Sequence, residues 1–242
     1  MNLITAILED ESASRQCPIS HLIPRDPSVT AYSDSLSHAA RGYSRDLNFW
    51  WHLQWPDHVQ ARAAKARTGN TISINALEYA AIIINYVATT ATLANPNQND
   101  PYPTALFFTD NIASEAWIQK GAKKSHAGKA LGILQCALMI NNPVGINADR
   151  ISTTDNVIAD RISRFPNHAD PSPHFIALSQ DFPQLQQCRR FHPSAELVST
   201  ILDALLLAKW PDPREPSLRK IALPDRNTFS PSAMTHTSKT HA

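Results

Sequence analysis

Apolar and polar positions alternate along the chain with two different periods, and the switches between them outline its elements. Ser28–Asp34 (SVTAYSD) is a short β-rich run, and Leu47–Trp55 (LNFWWHLQW) is aromatic and alternating, the pattern of strands in a meander. From Asn75 to Leu93 the residues Leu77, Ala80, Ala81, Ile84 and Val87 recur at helical spacing. Ala105–Asp110 (ALFFTD), an apolar run with a polar end, predicts a buried strand. Ile112–Lys120 and His126–Asn141 predict helices, Val144–Ile151 a strand, and Asn156–Arg164 a short helix. This order predicts an α/β layer fold, a mixed sheet flanked by helices.

After residue 165 the pattern changes. Ten of the 18 prolines fall in 166–242. Within that stretch Pro193–Trp210 predicts an amphipathic helix, with Leu197, Val198, Ile201, Leu202 and Leu205 on one face. Pro193 suits its first turn, and Pro211 and Pro213 stop it. Its apolar face must dock on the domain or on a partner. The expected division is therefore an acidic N-terminal extension (1–19), an α/β domain (20–165), a proline-rich helical C-terminal extension (166–229) and a disordered Ser/Thr/His-rich tail (230–242).

Composition narrows the chemistry. The chain has 242 residues, 43% of them hydrophobic, and a formal charge of +1. Glycine is scarce, at 6 residues. That excludes the three-glycine dinucleotide fingerprint, the phosphate-cradling P-loop and the Gly-x-Ser-x-Gly elbow. Cys17, Cys136 and Cys188 are odd in number and far apart, which argues against a disulfide framework or zinc ribbon. The first residues carry Glu9, Asp10 and Glu11 and no early basic group, unlike a signal peptide. Apolar runs fall short of the ~20 residues of a membrane span. An intracellular location, cytoplasm or nucleus, is expected, with no membrane.

Four carboxylates stand at element edges. Asp34 ends the first strand, Glu78 lies early in the long helix, Asp110 follows the ALFFTD strand, and Asp160 lies in the last helix of the domain. Strand ends in a layered α/β fold converge on one crevice. Carboxylates gathered there repel one another, and a hard divalent ion, Mg²⁺ or Mn²⁺, is the usual compensation. Each also has a structural alternative. Glu78 suits a capping box with Asn75, and Asp110 suits a helix cap. Asp160 suits an ion pair with Arg164, and Asp34 a turn.

The segments HLIPRDPSVTAYSDS, LNFWWHLQWP, INALEYAAI, ALFFTDNIASEAW and DNVIADRISR occur in one order. Over roughly Ser20–Arg164 the chain resembles the ribonuclease H domain of retroelement polyproteins, the part that follows reverse transcriptase. That resemblance implies a ribonuclease H-like mixed sheet flanked by helices. It also implies a catalytic acidic tetrad, Asp34, Glu78, Asp110 and Asp160, holding two ions of Mg²⁺ or Mn²⁺. Asp34 would bridge both ions, Asp160 would help hold the one activating water, and Glu78 and Asp110 the one at the leaving 3′ oxygen. The implied reaction is hydrolysis of the RNA strand of an RNA–DNA hybrid, with the 2′-hydroxyl discriminating against DNA. A reverse transcriptase is the implied companion.

The family's first hairpin carries glycines after its aspartate. Here Ser35–Arg41 has none and only Gly42 remains, so a reshaped hairpin with Asp34 displaced is expected.

Charge fits a nucleic-acid partner once it is localised. Ser20–Phe165 holds 13 Lys+Arg against 11 Asp+Glu, an excess of six when the four candidate ligands are set aside. Lys120, Lys123, Lys124 and Lys129 cluster after Asp110 and suit phosphate contacts, or else a solvated helix end; Asn111 joins them as a candidate nucleic-acid contact. Arg41, Arg45, Arg62, Lys65 and Arg67 form a second basic stretch. Trp50, Trp51, Trp55 and Trp117 are expected in the core. Two rival functions stand beside the nuclease: a catalytically degenerate nucleic-acid-binding descendant, and a protein-interaction module built on the 193–210 helix.

Overall fold

The computed structural model describes residues 26–64, 72–93, 103–122, 124–142, 144–166, 169–210, 212, 218, 221 and 229. The two expected terminal segments, Lys65, Arg67, Lys123, Pro211 and Pro213 lie outside these residues.

The elements run β1 (Val29–Ser35), β2 (Ala39–Ser44), β3 (Phe49–Gln54), α1 (Asp57–Ala64), α2 (Ile74–Leu93), β4 (Thr104–Thr109), α3 (Ile112–Lys120) and α4 (His126–Ile140). They continue with β5 (Gly145–Arg150), α5 (Val157–Ser163), α6 (Ser172–Asp181), a 3-10 turn (Pro183–Leu185), β6 (Arg189–Arg190) and α7 (Ala195–Leu207). The six strands form one mixed sheet in the order β5-β4-β1-β2-β3-β6. β2 lies between β1 and β3 and is antiparallel to both, and β4 and β5 extend the sheet parallel to β1 on its other side. The fold is thus α/β, a mixed sheet flanked by helices.

Strand alternation sorts side chains onto two faces. One face presents Ala31, Ala40, Phe49, Trp51, Ala105 and Phe107 to the main core, which also holds α2, α4 and α7. The opposite face presents Tyr43 and Trp50 to a second core with Ile158 and Ile162 of α5 and Phe175 of α6. Trp50 stacks on Phe175 with ring centroids 4.0 Å apart. Trp50, Trp51 and Trp55 are buried, and Trp117 packs half-buried against the main core.

Three expectations change. The Leu47–Trp55 run supplies one strand, not several; its partner is Ala39–Ser44, buried along its whole length and so lacking any alternation to read. Downstream of residue 165, α6 and β6 join the structure, and β6 pairs with β3 in the same sheet. The last helix starts at Ala195, capped by the Ser194 hydroxyl accepting from Leu197 N–H at 3.1 Å, so Pro193 precedes the cap.

By length and mean hydropathy (1.3) α2 reaches the range of a bilayer span, although the apolar runs were expected to fall short. Eighty-nine percent of that stretch is buried inside the protein, as expected for a helix apolar on all sides and wrapped by other elements.

Gly42 has a steric reason to be glycine. A Cβ there would lie 2.3 Å from Asn85 Oδ1 and 2.8 Å from the Tyr32 carbonyl. Asn85 of α2 uses that space, accepting from Trp51 Nε1 at 2.6 Å and donating to the Tyr32 carbonyl at 2.9 Å. The β1–β2 hairpin itself closes without glycine: Leu36 N–H donates to the Ala39 carbonyl at 2.8 Å. None of its residues takes a positive φ, so the expected displacement of Asp34 does not follow from glycine loss.

Candidate metal centre

β1 and β4 are adjacent and parallel, with Tyr32 opposite Phe108 and their rings stacked at 5.0 Å. Two residues further along the chain come Asp34, still on β1, and Asp110, the first residue past the end of β4. Glu78 arrives from α2, where its Oε1 accepts from Ser35 N–H at 2.8 Å. The candidate ligand oxygens of Asp34, Glu78 and Asp110 all lie within 4.8 Å of one another. This acidic triad could bind a metal ion.

The structural alternatives for two of these residues are taken by neighbours. Ser73, not Asn75 with Glu78, provides the side-chain acceptor at the start of α2, taking Ala76 N–H at 3.3 Å. Asn111, not Asp110, caps α3, accepting from Ala113 and Ser114 N–H at 3.0 Å. The Asn111 amide also donates to Asn75 Oδ1 at 2.9 Å. It therefore ties the start of α3 to the start of α2, fixing the turn that carries Asp110.

Asp160 is not in the triad. It stands on α5, which packs on β1 and β2, and both its oxygens accept from Arg164 at 3.1 Å. The ion pair suggested by their spacing is thus formed.

Arg41 is the residue that pattern reading missed. Counted with a basic stretch, it is instead fully buried, at 0% exposure. It lies opposite Asp34 across β1 and β2, and both Nε (3.1 Å) and Nη2 donate to the same oxygen, Asp34 Oδ2. Burial pulls the Arg41 pKa down and the Asp34 charge counteracts it. His52, opposite Arg41 on β3, continues the row. Burial, and then the Arg41 charge, lower its pKa to about 4, so it is neutral at pH 7.

Glu78 lies in the opposite situation. Burial, reinforced by the neighbouring Asp34 charge, holds its carboxyl well above the usual range. Its Oε2 is buried and takes no N–H or O–H donor, and its carboxyl lies against that of Asp34. A buried polar atom left unpaired is costly. A cation at the triad would satisfy it, and a set of carboxylate oxygens suits a hard ion.

Lys120, Lys124 and Lys129 are exposed. At about 1.5 Å per residue α3 is roughly 12 Å long, with Asp110 just before its start and Lys120 at its end.

Comparison with protein-family models, curated proteins and solved structures gave no match.

Proposed function

We propose that this protein is a ribonuclease H-like hydrolase that cuts the RNA strand of RNA–DNA hybrids. The observation that carries the reading is the convergence of Asp34, Glu78 and Asp110, with Glu78 Oε2 buried and without an N–H or O–H donor. The order of three antiparallel strands followed by two parallel ones supports it, as does the run of sequence segments shared with retroelement ribonuclease H domains.

In this reading Asp34, Glu78 and Asp110 hold Mg²⁺ or Mn²⁺. The bound ion supplies Lewis acidity toward a phosphodiester. Ser35 N–H fixes Glu78, and Thr153 Oγ1 donates to Asp110 Oδ2 at 2.9 Å, so two of the carboxylates have set orientations. The exposed lysines engage the hybrid's phosphates, a contribution weakened by salt.

The experiment is incubation of the purified chain with an RNA–DNA hybrid and Mg²⁺. Cleavage to 5′-phosphate products, stopped by EDTA and lost in Asp110→Asn, is the expected result. A second reading, a nucleic-acid-binding module without catalysis, is favoured by the two arginine pairs on Asp34 and Asp160. Hybrid binding without cleavage selects it. Binding of neither hybrid nor duplex overturns both.

A further inference from the structure

Each carboxylate of the triad has one oxygen already engaged. Asp34 Oδ2 takes both Arg41 bonds, Glu78 Oε1 takes Ser35 N–H, and Asp110 Oδ2 takes Thr153. Asp34 Oδ2 has both lone pairs taken, whereas Glu78 Oε1 and Asp110 Oδ2 accept one bond each, so Asp34 alone is reduced to a single free oxygen. Three carboxylate oxygens plus water suit one hard divalent ion. A pair of ions needs a ligand that reaches both, and Asp34 cannot supply two oxygens while Arg41 forks onto one of them.

Charge leads to the same count. Arg41 is a fixed cation inside the cluster, fully buried, with no solvent to move into. It stands where the β2 backbone holds it, opposite Asp34 in the strand register. On the far side, Asp160, the fourth carboxylate, is taken on both oxygens by Arg164. Arg164 is itself exposed and can swing away, so the fixed charge is the one on Asp34.

We propose that Arg41 is the built-in second cation of this centre: it occupies one Asp34 oxygen, and the triad takes one divalent ion, not two. This rests on the reading of Asp34, Glu78 and Asp110 as a cation site. Arg41 is here a positioning residue, since it acts through Asp34.

The test counts ions directly. Mn²⁺ is titrated into the full chain, with free Mn²⁺ followed by electron paramagnetic resonance. Wild type should bind one ion that Asp110→Asn loses. Arg41→Gln, which removes the charge and the two-bond fork, should bind two, with the broadened spectrum of a coupled Mn²⁺ pair. Two ions in wild type overturn the role of Arg41 and leave the cation site standing. One ion in folded Arg41→Gln overturns that role as well. No ion in wild type overturns the cation site itself and the inference with it. Should Arg41→Gln not fold, Arg41→Met, which also removes the guanidinium, gives the same count.

Discussion

Asp34 and Glu78 are neighbours whose charges have opposite consequences for stability. Asp34 neutralises a buried arginine, so Asp34→Asn leaves the Arg41 charge unpaired inside the protein. Losing one partner of a buried pair costs about 3–5 kcal/mol, a drop that chemical denaturation would register. Glu78 is held above its ordinary pKa by burial and by Asp34, so in the metal-free protein its ionisation opposes folding. Its stabilising effect is present below its unfolded value and lost as pH rises. Glu78→Gln should therefore raise the melting temperature at pH 8 while lowering Mn²⁺ affinity. An unchanged melting temperature with intact Mn²⁺ binding would contradict the assigned environment. His52 has the reverse linkage to a raised base: its folded pKa, about 4, lies below the unfolded value near 6.5. The unfolded chain then binds the extra proton, and stability falls as pH drops through that window. His52→Leu should flatten the loss between pH 6.5 and 4 in melts followed by circular dichroism. The three triad acids were visible in the sequence because each sits at a change of periodicity. Arg41 was not, because burial across a strand pair leaves no mark in local composition, and it reads there as one more basic residue.

At the scale of elements, the β1–β2 hairpin positions Asp34, and Gly42 allows it to pack on α2. The Asn85 amide bridges Trp51 and the Tyr32 carbonyl through space that a Cβ at residue 42 would fill. Gly42→Ala must push Asn85 away or bend β2. Overpacking of that kind costs about 1–3 kcal/mol. The lost Asn85 bonds would add to it, measurable by urea denaturation. Pairing with Asn85→Ala should recover part of the loss, whereas independent, additive costs would rule out the steric account. β4, a short apolar run with a polar end, was legible in sequence, and so were the long helices. β2 was not, because its six residues are buried on both faces and mix alanine, arginine and glycine. β6 is two residues long and is defined by its pairing with β3, which no local pattern encodes.

Across the whole molecule, the triad and the C-terminal helix are separate. α7 buries Leu197, Ile201, Ala204 and Leu205 against α4 and α2, which answers the sequence-level requirement for a docking surface from within the chain. The triad lies instead at the carboxyl ends of β1 and β4, held by Ser35, Thr153 and Arg41. The two regions share α2: Glu78 lies near its start, and α7 packs on it through the common core. That sharing sets a limit on how far damage at α7 can travel. Ile201→Ala opens a cavity in the main core, and large-to-small changes there cost about 2–5 kcal/mol. The backbone bond from Ser35 to Glu78 and the Arg41–Asp34 pair are local bonds between β1, β2 and the start of α2. The expected result is a lower melting temperature with the Mn²⁺ count and affinity of wild type below the transition. Asp110→Asn should do the reverse, abolishing the ion while moving the melt little, since Asp110 is only half-buried. Loss of Mn²⁺ binding in folded Ile201→Ala would mean that the core, and not the local hydrogen bonds, sets the geometry of the triad.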